Sequence, residues 1–136
     1  ALYEEINGLI SYSKNIVQMG NLPKREYHAL LGRCAYMLYP SDFPEISCIN
    51  AIEAQYNGCL VITSDKYAMS ETVKTDTKIT SQYGSKQYVE DFMSLLDKYQ
   101  DETYEYEVKK GKEKIKTYSW EHVAKSWNAC DLRPFS

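Results

Sequence analysis

Histidine and glycine are scarce in this chain of 136 residues, which holds two histidines and six glycines. His28 and His122 lie far apart and neither has a carboxylate or serine at readable spacing, so no catalytic triad is indicated. The four cysteines, Cys34, Cys48, Cys59 and Cys130, form no C-x-x-C pair. A zinc site needs closely spaced ligands, and a disulfide framework belongs to small secreted scaffolds. Three of the four sit in apolar segments, which reads as buried free thiols in a reducing compartment.

Other absences narrow the function further. No G-x-x-x-x-G-K-[ST] or G-x-G-x-x-G string occurs, which argues against a nucleotide triphosphatase and a dinucleotide oxidoreductase. No apolar run approaches the roughly 18 residues of a membrane span, and no signal-peptide pattern opens the chain. The net charge is -3, so no basic surface marks nucleic-acid binding. The longest basic cluster, Lys109-Lys110-Gly111-Lys112, is interleaved with Glu107 and Glu113 and reads as a solvated helix face. The first residue is Ala1, already inside an amphipathic pattern, which suggests a start within a longer protein.

What is present is an alternation of helix and strand signals. Leu2, Ile6, Leu9 and Ile10 predict a helix over residues 1–12. Asn15 to Met19 reads as a short strand stopped by Gly20-Asn21. Pro23 suits the first turn of a second helix with Tyr27, Leu30 and Leu31 on its apolar face. Residues 35–39 read as a strand, and 46–56 as a helix with Ile46, Ile49, Ile52 and Tyr56 on one side. Gly58 is placed to end that helix with positive φ. Residues 59–63 form a continuous apolar, β-branched run that suits a strand buried on both faces. A loop, a weak strand near 77–80, and helices at about 85–99, 102–117 and 119–131 complete the pattern. Short strands separated by helices predict an α/β fold: one Rossmann-like domain, 1–136, with a parallel sheet flanked by helices.

Within that frame Glu45 and Glu53 stand out by context. Their spacing alone is uninformative, because it recurs at Glu105/Glu113 and Glu113/Glu121. In an open parallel sheet, ligands bind where strands end and helix N-termini point. Glu45 falls at that edge, and amides of Ile46, Ser47 and Cys48 would form an anion site at the helix mouth. Glu53 would lie about 12 Å further along the axis at 1.5 Å per residue. Two carboxylates flanking an anion site fit a ligand built as sugar, pyrophosphate and ribose. Equally, Glu45 could serve only the helix dipole and Glu53 could be a surface residue.

Tyr39-Pro-Ser41, then Glu45, Glu53-Ala54, Gly58 and Val61-Ile-Thr-Ser64, resemble the donor-binding C-terminal half of retaining GT-B glycosyltransferases, family 4 (glycosyl transferases group 1). Asn15 to Leu22 resembles that family's segment near the nucleotide base, and Tyr118-Ser-Trp-Glu121 the start of its final helix. The resemblance implies that Glu45 contacts hydroxyls of the transferred hexose as the catalytic carboxylate. It implies that Glu53 binds the ribose, that Ile46, Ser47 and Cys48 meet the diphosphate, and that Gly20, Asn21 and Leu22 border the base. Its implied partners are a nucleotide diphosphate sugar donor and a glycan or lipid-linked acceptor, the latter held by an N-terminal domain preceding this chain. No metal or other cofactor is implied, and the location would be cytoplasmic, either free or at the cytoplasmic face of a membrane.

Three positions depart from the family pattern. Ile46-Ser47-Cys48 stands where a glycine is frequent, Leu60 where a proline is usual, and Ala68-Met69-Ser70 where a glycine pair commonly occurs. Side chains there would narrow the donor pocket. The family's Arg/Lys pair for the diphosphate would precede this chain, since Lys24 and Arg25 belong to the second helix and should face solvent. The chain thus reads as a truncated donor domain, inactive alone. The alternatives are a non-catalytic nucleotide- or glycan-binding relative and a flavodoxin-like regulatory domain. The latter would want acids clustered at the strand ends, and none cluster there.

The aromatic residues read as architecture. The 13 tyrosines suit half-buried helix borders more than a carbohydrate platform. Trp120 and Trp127 are spaced to pack the last helix onto the body of the domain.

Overall fold

The computed structural model describes residues 2–129. Three parallel strands, β1 (Tyr36–Tyr39), β2 (Leu60–Ser64) and β3 (Lys78–Ile79), lie in the order β1-β2-β3. The register pairs Tyr39 with Thr63, and Thr63 in turn with Lys78. Helices α1 (Leu2–Tyr12) and α2 (Lys24–Leu31) precede β1, and α3 (Ile49–Asn57) joins β1 to β2. Helix α4 (Ala68–Thr72) joins β2 to β3, and α5 (Lys86–Lys98), α6 (Glu102–Lys114), a 3-10 turn (Ile115–Tyr118) and α7 (Trp120–Ala129) follow.

Strand β2 is the centre, with all five residues buried. Its alternation feeds two cores. Val61 packs with Leu31, Cys48, Ala51, Ala54 and Met69 on one face, and Ile62 with Ile79 and Tyr88 on the other. Helices on both faces make this a Rossmann-like α/β arrangement, as the pattern predicted.

Gly58 ends α3 at φ +92°, a conformation that costs glycine nothing and side-chain-bearing residues something. Ser85 and Asp101 cap α5 and α6 by accepting hydrogen bonds from the amides of Tyr88 and Thr103.

Several expectations need correction. Residues 15–19 make no strand: no sheet partner meets them among the described residues, and Ile16, Val17 and Met19 are exposed. Apolar character without a neighbour to hydrogen-bond does not make a strand. Helix α3 begins at Ile49, after Cys48 in an extended N-cap conformation, three residues later than expected. Pro40 and Pro44 disfavour helical geometry in the residues before them, and the chain stays irregular through Ser47.

Of the expected apolar stripe of α3 only Ile52 is half-buried, and the rest faces outward. Ile46 is 99% exposed, and Ile49 and Tyr56 are exposed, while Ala51, Ala54 and Gln55 are buried. Small residues let the helix lie close to the sheet, which outweighs the pull of the larger apolar side chains. Trp120 and Trp127 also stay outside, 86% and 71% exposed, rather than packing inward. Helix α4 forms where a loop was expected. The end of the last expected helix, 130–131, and Cys130 lie outside the described residues.

The basic cluster on α6 is only partly a solvated face. Lys110 turns inward to ion-pair with Asp76 and the buried Glu107. Gly111 is buried, and a Cβ there would meet Thr75 Cγ2 at 3.1 Å. Four of the tyrosines serve the architecture, while Tyr106, among others, is exposed. Tyr36, Tyr99 and Tyr104 donate to the carbonyls of Tyr99, Asp76 and Ala35, and the Tyr88 hydroxyl pairs with that of Ser64.

Candidate functional site

The loop from β1 to α3 runs along the edge where the parallel strands end. Tyr39 closes β1, and its carbonyl accepts a 2.8 Å hydrogen bond from Thr63 Oγ1 on β2. Beyond Pro40, the Ser41 hydroxyl accepts from the Phe43 amide, and the Glu45 amide donates to the Phe43 carbonyl at 2.8 Å. The Glu45 carbonyl accepts from the Ala68 amide at the start of α4. Its carboxylate Oε1 accepts from the Tyr39 hydroxyl. That bond, before burial and the glutamate's charge, raises the Tyr39 pKa, because phenolate formation would forfeit the donor.

Ile46, Ser47 and Cys48 lead from Glu45 into α3. Ile46 and Ser47 are exposed, whereas the Cys48 thiol is buried, with its pKa pushed up to about 11, first by desolvation. Because α3 starts at Ile49, the first-turn helix amides begin there, and those of Ile46 and Ser47 belong to the approach loop. The 12 Å separation along a helix axis therefore does not apply, since Glu45 is not on the helix.

Glu53 sits one turn into α3, half-buried. Lys24 Nζ lies 3.3 Å and His28 Nε2 3.1 Å from its Oε1. The His28 nitrogen is sealed from solvent and makes no hydrogen bond among the described residues. Lys24 faces solvent, as expected, at 77% exposure, but α2 also brings it and His28 to Glu53, a carboxylate partner that no sequence spacing showed. Only the i, i+4 spacing that puts Lys24 and His28 on one face of α2 was legible.

Beside Glu53, a cavity of about 390 Å³ is lined by residues that include His28, Tyr56, Asn57, Lys116 and Trp120. Gly20, at φ +63°, and the exposed Asn21 turn the chain into α2 through the half-buried Leu22.

The arrangement offers hydrogen-bond acceptors at Glu45 and Glu53, and the first-turn amides of α3 lie between them in sequence, those of Asn50 and Ala51 facing the Cys48 sulfur. No helix among the described residues is long and apolar enough to cross a membrane. A family model described as "Glycosyl transferases group 1" matches residues 9–114, which take in both glutamates. No curated protein and no solved structure matches.

Proposed function

The chain belongs to the glycosyl transferases group 1 family, and on that premise we propose that it is the donor-binding half of a retaining hexosyltransferase of GT-B architecture. What supports this reading is that Glu45 and Glu53 flank the first turn of α3 along the chain, within the matched residues. Glu45 accepts hydroxyls of the sugar, and Glu53 accepts the ribose diol. The amides at the start of α3, with those of Ile46 to Cys48 leading into it, face the diphosphate. Gly20, Asn21 and Leu22 border the base.

In this reading, fixed amides and basic side chains take up the charge of the departing diphosphate, so no metal is required. The acceptor, a glycan or lipid-linked sugar, is held by elements beyond this chain. The buried thiols of Cys48 and Cys59 suit a reducing, cytoplasmic setting.

One observation favours a second reading, a non-catalytic relative that binds nucleotide or glycan. Lys24 and His28 already engage Glu53 Oε1, so a ribose must share or displace them.

Calorimetric titration with UDP, GDP and ADP tests the reading. One nucleotide should bind saturably, and Glu53→Ala should weaken it by about 1–3 kcal/mol, the worth of a charge-assisted hydrogen bond. Glu45→Ala should spare the bare nucleotide and weaken the matching nucleotide sugar. Absence of binding by all three, or affinity indifferent to both substitutions, sinks the proposal.

A further inference from the structure

Glu45 is tied down at three points. Its amide donates to Phe43, its carbonyl accepts from Ala68, and its Oε1 accepts from the Tyr39 hydroxyl. The last acts on the side chain, which the Cys48 thiol also meets, and it crosses a loop containing two prolines to reach a residue six positions on. Tyr39 is itself anchored. It sits in β1 opposite Thr63, whose fully buried side chain donates to its carbonyl. Its ring packs against the core that contains Cys48, Ala51 and Val61. A rigid two-χ phenol, fixed at its base, thus aims a donor at a carboxylate borne by an irregular loop.

We propose that Tyr39 is the positioning residue for Glu45, holding its carboxylate toward the sugar of the donor; this rests on the donor-binding reading above. A free glutamate side chain samples many rotamers, and fixing it on ligand binding costs entropy. Binding sites avoid that cost when a neighbouring group locks the rotamer in advance. A carboxylate has about four acceptor directions, so the Tyr39 hydroxyl and the Cys48 thiol together leave capacity for sugar hydroxyls. The Tyr39 bond orients Glu45 without neutralising it, as a lysine or arginine partner would. The buried Cys48 thiol beside the carboxylate adds no competing positive charge. Tyr39 touches neither nucleotide nor sugar in this scheme and acts only through Glu45.

The test compares UDP with UDP-glucose and GDP with GDP-mannose by calorimetry, on wild type, Tyr39→Phe, Glu45→Ala and the double variant. The readout is the ratio of nucleotide-sugar affinity to nucleotide affinity. Tyr39→Phe keeps the ring and removes only the donor. It should lower that ratio about tenfold while leaving the bare nucleotide unchanged, and should have no further effect in the Glu45→Ala background. Equal weakening of both ligands would mean a merely structural role and overturn the proposal, as would an unchanged ratio or additive effects. Failure of wild type to bind any of the four ligands would instead defeat the donor-binding reading, and this proposal with it. Without ligand, Glu45→Gln should bring the Tyr39 titration, followed by carbon-13 NMR at Cζ, back toward that of ordinary tyrosine. A titration indifferent to Glu45 would show that the two side chains are not in contact in solution.

Discussion

Lys24 Nζ stands 3.3 Å from Glu53 Oε1, which ties the first residue of α2 to the middle of α3. The lysine is 77% exposed, so the bond works in high dielectric and is screened by salt. Lys24→Ala should cost no more than about 1 kcal/mol in urea unfolding, and the difference should shrink in about 1 M salt. A larger, salt-insensitive loss would mean that the pair is part of the core rather than a surface strap.

Gln55 is a different case, because it is 2% exposed and satisfies three backbone groups. Its Nε2 donates to the carbonyls of Ala51 and Thr72, and its Oε1 accepts from the Lys74 amide at 2.8 Å. Gln55→Ala leaves these groups short of partners and opens a cavity, so it should destabilise by about 2–4 kcal/mol. Denaturant melts read this directly, and a loss near zero would mean that water replaces the amide.

Gly111 sets helix propensity against space. Alanine in a helix interior gains about 1 kcal/mol over glycine, but its Cβ would meet Thr75 Cγ2 at 3.1 Å. Overpacking costs about 1–3 kcal/mol, so Gly111→Ala should be net destabilising. In a Thr75→Ser background, which removes that methyl and keeps the hydroxyl bonded to Thr77, the same change should become stabilising.

The Asp76–Lys110 pair makes stability fall at low pH. The hydrogen bond from Lys110 holds the Asp76 pKa below the ordinary range. A depressed carboxylate contributes stability that is present above its unfolded pKa and lost as pH falls through the folded one. The loss should therefore develop below about pH 4, and Asp76→Asn should flatten that limb of the profile. Asp76 is exposed enough that the effect is small.

The thiols of Cys48 and Cys59 are both pushed up to about 11, first by desolvation, and Cys59 also donates to the carbonyls of Leu31 and Cys34. At pH 8 their thiolate fraction should be more than about a hundredfold below that of an exposed cysteine. Alkylation followed by peptide mapping should leave both unmodified in the native protein and modify both in urea. Rapid native labelling of either would contradict their burial.

Strand β2, Gly58 and the long helices were readable along the chain because each depends on neighbouring residues. A run of β-branched residues, a left-handed stop and a 3.6-residue period are properties of a short window. Glu45 could be placed at the strand-end edge for the same reason, since the α/β alternation already determines where loops fall. The partners of the glutamates could not be read that way. Tyr39 reaches Glu45 across a proline-bearing turn, and Lys24 and His28 reach Glu53 from another helix, so their meeting depends on how α2 and α3 pack against β1 and β2. Burial followed the same division. Periodicity identified an apolar stripe on α3, but the narrow space above the sheet admitted Ala51 and Ala54 and left Ile49 and Tyr56 outside. Pattern tells which residues share a face, whereas close packing decides which face is turned inward.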